Sequence, residues 1–150
     1  MKNKIPFHPF IFAIYPILFL FEKNINEVSI YKLPIPLFIA LIVTSTLLAI
    51  CWLLLKNLNK SAIIVTLCII LFTNYTLIFK LFNDQSVLGI LHIQRHRYLI
   101  LIYLILSSFI IFKIIKSKGL FVNANKIFNV ISFTLIGICL IQILSYYMFT

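Results

Sequence analysis

Five runs of apolar residues divide this chain almost from end to end, covering residues 5–21, 34–55, 61–79, 98–115 and 127–149. Each approaches or exceeds the roughly 20 residues that cross a hydrocarbon core of about 30 Å. A water-soluble fold spreads its apolar residues along amphipathic stripes, whereas these are contiguous. Composition points the same way. Of 150 residues, 63% are hydrophobic and 11% charged, where a soluble domain carries about 25% charged residues, and the mean hydropathy is +1.12. The expected fold class is all-α: a polytopic membrane helix bundle of about five transmembrane helices, with residues 1–150 forming a single transmembrane domain.

Lys2 and Lys4 ahead of the first run raise the pattern of a secretory signal. The run is long for such a segment and passes into "EKNIN" without a small-x-small cleavage site, so it reads as a retained helix. Pro6 and Pro9 fall near its start, where a missing N–H costs little, and Pro16 should kink its interior. Pro34 and Pro36 mark the entrance of the second run, and Trp52 stands near its far end, as interfacial aromatics often do. The short turn "KNLNK" at 56–60 makes the second and third helices an antiparallel pair. Lys80 can snorkel from the end of the third. In the longest connection Ser86, Gly89, His92 and Arg95 recur every three residues among apolar neighbours. That spacing predicts an amphipathic surface segment over about 86–96.

Charge then selects an orientation. With the N-terminus inside, the inner side carries Lys2, Lys4, Lys56, Lys60, Lys113, Lys116, Lys118 and Lys126. The outer side carries only Lys23, Lys32, Lys80, Arg95 and Arg97. The positive-inside bias favours a cytoplasmic N-terminus and an outer C-terminus, as a multi-pass protein of the cytoplasmic (inner) membrane. The net charge of +10 is carried in these short flanking clusters. Lipid bilayer and anionic lipid headgroups are therefore the expected partners, and nucleic acid is not, since no basic stripe carries aromatics for base stacking.

Few residues offer chemistry. Cys51, Cys68 and Cys139 lie far apart inside apolar runs, a pattern of small hydrophobes instead of a disulfide framework or zinc site. The stretch "LHIQRHRYLILIYLI" at 91–105 is the densest polar cluster. His92 and His96 stand at i, i+4, as two metal ligands on one helix face would. A zinc site needs a third protein ligand, none is near, and Arg95 and Arg97 would repel a cation. Arg95 and Arg97 suit a lipid phosphate at the outer leaflet, since guanidinium matches phosphate geometry, or they simply flank the fourth helix. No carboxylate lies within an apolar run, which removes the usual residue of a proton relay or cation-coupled transporter. The polar residues inside the runs are mild. "TSTLLA" and "SS" would let helices approach and hydrogen-bond across an interface, with Asn74 and Gln142 the expected interhelical pairing groups. The sequence shows no catalytic residues, no metal ligand set and no cofactor motif.

Two stretches carry a resemblance. "HPFIFAIYPILFLF" at 8–21, followed by "EKNINEVS", resembles the first membrane helix and loop of bacterial and archaeal sulfatase-like hydrolase/transferase proteins. "RHRYLI" at 95–100 resembles the stretch that precedes their fourth helix. "LFTNYTLIFK" departs from the histidine-bearing end of the third helix in that family, so a role for such a histidine does not carry over. The resemblance implies the five-helix, N-in, C-out membrane region of a lipoteichoic-acid-synthase-like enzyme. In that family the catalytic domain of the alkaline phosphatase superfamily follows on the outside, and it lies outside these 150 residues. Two functions are then expected in order. The first is a non-catalytic membrane-anchor and docking module for a sulfatase-like extracytoplasmic enzyme, truncated or separately encoded. The second is a stand-alone small membrane protein binding lipid or a partner helix bundle.

Overall fold

The structure, a computed structural model, describes residues 6–83, 96–119 and 121–149. The described residues hold five α-helices and no strand. They are α1 (His8–Lys23), α2 (Pro34–Leu55), α3 (Leu58–Asn83), α4 (His96–Lys116) and α5 (Val122–Phe149), with a single 3-10 turn at Ile30–Lys32 before α2. Among the described residues, four segments are long and apolar enough to cross a membrane: Ile30–Leu55, Leu58–Lys80, Tyr98–Lys116 and Val122–Met148. A multi-pass membrane protein follows. At 16 residues, α1 is about 24 Å long at 1.5 Å per residue, short of the about 30 Å core on its own.

The helix ends follow local rules. In α2, Pro34 and Pro36 occupy the first turn, where backbone N–H groups have no intrahelical partner. The helix stops at Lys56, whose φ of 49° and ψ of 27° are left-handed and whose N–H bonds Trp52 O at 2.8 Å. Asn57 then caps α3, its Oδ1 accepting from the Lys60 N–H at 3.2 Å. At the end of α4, Lys113 and Lys116 sit over the Phe109 and Phe112 rings, 4.8 and 4.9 Å from their centroids. These cations complement both the rings and the negative end of the helix dipole.

The chain forms two compact units, one of Met1–Ile69 with Gly119–Thr150 and one of Ile70–Lys118. In the first, α1 lies between α2 and α5. Leu18 and Phe21 of α1 pack on Cys139 and Ile143 of α5, with Leu33, Leu37 and Ile136 against that cluster. α3 is enclosed on every side from Ser61 through Thr66, which are all buried. In the second unit, the Tyr103 hydroxyl of α4 donates to Leu71 O of α3 at 2.7 Å, and its ring meets Tyr75 edge-on at 5.9 Å.

Most of the spanning surface is open. Only 6% of the most apolar stretch of Ile30–Leu55 is buried, and 11% of that in Tyr98–Lys116. Phe72, Leu54 and Ile35 stand out from the protein surface. Water would not tolerate so much contiguous apolar surface, and lipid or partner helices would.

Candidate functional site

The polar chemistry of the first unit gathers around His8, which is fully buried. Its position begins with α1's unusual N-terminus. Phe7 is the residue before the helix and has no capping side chain of its own, yet every early N–H is accounted for. Pro9 has none to satisfy, and the Phe10 and Ile11 N–H groups bond Phe7 O at 3.1 and 3.3 Å. The N–H groups of Phe7 and His8 donate to Asn129 Oδ1, at 3.1 and 2.9 Å. A side chain from α5 thus caps α1 across the bundle, doing between helices what Asn usually does within one.

The His8 ring is held at both nitrogens. Nδ1 lies 2.7 Å from Thr66 Oγ1 of α3, and Nε2 lies 2.7 Å from Asn125 Oδ1 of α5. The Asn125 amide cannot be turned round, because its Nδ2 already faces three acceptors: Asn59 O and Oδ1, both at 3.2 Å, and Phe121 O at 3.1 Å. Its carbonyl end therefore faces the imidazole and fixes the proton on Nε2. Nδ1 then offers a lone pair, and the Thr66 hydroxyl donates to it. Phe128 covers the ring at 5.4 Å, and Phe12 meets Phe128 edge-on at 6.2 Å.

This is a closed network. Both imidazole nitrogens are engaged, so His8 has no lone pair left for a metal and none free to accept a proton from a substrate. Its function is to lock the N-terminal ends of α1, α3 and α5 together. Three positive helix ends meeting at one place also favour acceptor oxygens there, which Asn125, Asn129 and Asn59 supply.

No protein-family model, no curated protein and no solved structure matches the chain. Its function is therefore read from its own residues.

The residues singled out from the sequence fall elsewhere. His92 and Arg95, with the amphipathic segment expected at about 86–96, lie outside the described residues apart from His96. His96 and Arg97 open α4. Asn74, expected to pair between helices, instead donates from Nδ2 to Ile70 O of its own helix at 2.8 Å. Thr44, Ser45 and Thr46 likewise bond the carbonyls of Ala40, Leu41 and Ile42, four residues back. Hydroxyls in an apolar helix find the nearest carbonyl, and that is usually their own. Gln142 lines a pocket of about 450 Å³ with Glu22, Ser145 and Tyr146.

The network residues His8, Asn59, Asn125 and Asn129 carried one sequence signal. Asn125 and Asn129 are spaced i, i+4, which puts two amides on one helix face. With residues up to 126 read as loop, that face could not be seen. α5 begins at Val122, which places both amides on it.

Proposed function

We propose that the chain is a non-catalytic module of the cytoplasmic membrane that anchors and docks a sulfatase-like extracytoplasmic hydrolase or transferase. It crosses the membrane five times, with the N-terminus inside and the C-terminus outside. The observation that carries the docking reading is the division of labour among side chains. The polar groups around His8 are taken up in fixing helix ends, while the spans keep open apolar faces. Such a surface suits lipid and helix contact, and its buried polar groups suit scaffolding. The convergence of the α1, α3 and α5 N-termini on His8 supports an odd number of crossings, because those three helices then run the same way. The lysine distribution supports the inner placement of that end. The sulfatase-like partner rests on "HPFIFAIYPILFLF" and "RHRYLI" alone.

Reporter fusions test the orientation. A fusion after Thr150 should report outside and one at Ser117 inside, and a cytoplasmic Thr150 reporter would exclude docking of an outer enzyme. The partner is tested by reading the DNA beyond the Thr150 codon for a sulfatase-like frame and co-purifying its product with this chain. No such frame nearby, or no co-purification, removes the partner.

A second reading, a stand-alone membrane protein that binds anionic lipid, is favoured by the lysine-edged groove described next. In that reading Arg95 and Arg97 also contact phosphate, and Gln at both positions should lower retention of anionic lipid.

A further inference from the structure

At the end of the first unit opposite His8, the connection from α1 to α2 encloses a groove of about 380 Å³. Its walls are built by residues that have little to offer but carbon. Pro16 of α1 and Pro36 of α2 line it, together with Leu20, Phe21, Val28 and Leu33. Proline has no N–H to present, so two prolines make a groove wall without donors. The polar residues on its lining are Asn24 and Lys32. Asn24 Nδ2 is taken up by Leu20 O at 2.7 Å. Lys32 is exposed, and among the described residues no carboxylate pairs with it, whereas neighbouring Lys23 is paired with Glu22 at 3.3 Å. An apolar groove thus carries one lysine on its lining, with no carboxylate within ion-pair distance of it among the described residues.

The same end of the unit carries the marks of the headgroup layer. Tyr31, beside Lys32, is 88% exposed, Tyr147 is half exposed, and the Tyr146 hydroxyl donates to Asn26 Oδ1 at 2.6 Å. Tyrosines are enriched at that depth, where a ring can be half in lipid with its hydroxyl wet. The connection itself is ordered by its own bonds: the Glu27 and Val28 N–H groups donate to Asn24 O at 3.0 Å, and Lys32 N–H to Ser29 O at 3.0 Å. The backbone of Lys32 is thus fixed beside the groove by a folded turn.

We propose that this groove is a binding site for an anionic phospholipid, with one acyl chain against Pro16, Leu20 and Pro36 and the phosphate at the Lys32 ammonium. The charge of Lys32 selects an anionic headgroup over a zwitterionic one, and the apolar walls select a lipid over free phosphate. The inference rests on α1 lying in the bilayer and is independent of any enzyme partner.

Native mass spectrometry of the full chain, purified in mixed micelles of phosphatidylglycerol and phosphatidylcholine with the same chains, tests it. The wild type should retain phosphatidylglycerol preferentially, by about five-fold, the factor that corresponds to roughly 1 kcal/mol for one lysine near anionic lipid. Lys32→Gln should bring the ratio near one, and Leu20→Trp, which fills the slot from an exposed position, should lower retention of both lipids. Lys126→Gln, at the other end of α5, should leave the ratio unchanged, and millimolar inorganic phosphate should not compete. A wild-type ratio in Lys32→Gln, an equal loss in Lys126→Gln, or competition by phosphate alone would overturn the site. Resistance of the protein to carbonate extraction separates the two levels of failure. Extraction would remove the membrane reading and the site with it, and resistance without lipid preference removes the site only.

Discussion

The His8–Asn125 contact is the most informative place to perturb the fold, and a double-mutant cycle isolates it. In Asn125→Leu the amide is lost but most of its partners remain satisfied. Phe121 O still accepts the Asn125 backbone N–H at 3.0 Å, and Asn59 O lies in the first turn of α3, where the helix supplies its own donor. Asn59 Oδ1, on a half-buried residue, also loses a donor, and the fully buried group that is stranded is the imidazole Nε2–H. Moving its proton to Nδ1 lets Thr66 accept instead, but leaves a bare Nε2 lone pair in the same buried place. Either way one buried polar atom loses its partner, which costs about 1–3 kcal/mol. His8→Phe strands Asn125 Oδ1 at a similar cost of about 1–3 kcal/mol. The double variant His8→Phe/Asn125→Leu strands neither, and replaces both partners by apolar groups of similar size. It should therefore be more stable than the sum of the single losses predicts, with a coupling of about 1 kcal/mol or more. Reversible unfolding in detergent micelles, followed by helical circular dichroism, gives the four free energies. Single losses that simply add, to within about 0.3 kcal/mol, would show that the imidazole and the amide do not depend on each other. The network would then be a coincidence of packing.

Three further outcomes concern a helix cap, a left-handed residue and a bond of the second unit. Asn129→Leu removes the cap shared by the Phe7 and His8 N–H groups; it should cost about 1–2 kcal/mol, as loss of a helix cap does, and raise amide exchange at those two residues. Lys56→Gly should stabilise the protein by about 0.5–1 kcal/mol in the same unfolding assay, because Lys56 has a φ of 49°, which penalises a side chain and not glycine. Tyr103→Phe removes a hydroxyl whose acceptor, Leu71 O, already serves the α3 helix; the loss should be small, about 0.6 kcal/mol, as is usual between membrane helices, and a loss above about 2 kcal/mol would mean that the second unit depends on that bond.

The helical, membrane-crossing class was legible in the apolar runs because it depends on length and composition alone. A run such as 34–55 has too few polar groups to be anything else. The polar network was not legible, for a reason visible at Asn74 and Asn125. Both are asparagines near the apolar runs, and both could pair between helices. Asn74 stands mid-helix and exposed, where Ile70 O of its own helix is the nearest acceptor. Asn125 stands in the first turn of α5, near the free N–H groups and carbonyls of other helix ends. What decides between them is depth along the helix and the identity of the neighbour, and a single sequence prints neither. His8 was hidden for the same reason. Its partners are 58 and 117 residues away along the chain.

If α1 crosses the bilayer, as proposed, its 16 residues have to be accommodated at its ends. A helix that ends inside the hydrocarbon region must have its terminal N–H and C=O groups satisfied by something other than water. At its start, α1 has Asn129 on the Phe7 and His8 N–H groups and Asn125 on the His8 ring. Beyond its other end, the Asn24 side chain folds back onto Leu20 O, and Tyr146 of α5 holds Asn26. Both ends are therefore tied to α5 through polar contacts, and the middle is tied through Leu18, Phe21, Cys139 and Ile143. In that arrangement the protein supplies at the His8 end of α1 what headgroups and water supply to a longer span. On the five-crossing proposal, the mismatch between about 24 Å of helix and about 30 Å of hydrocarbon would not have to be met by thinning the bilayer. On this reasoning the "HP" pair at the start of α1 is a socket: histidine for Thr66 and Asn125, and proline where no donor is needed.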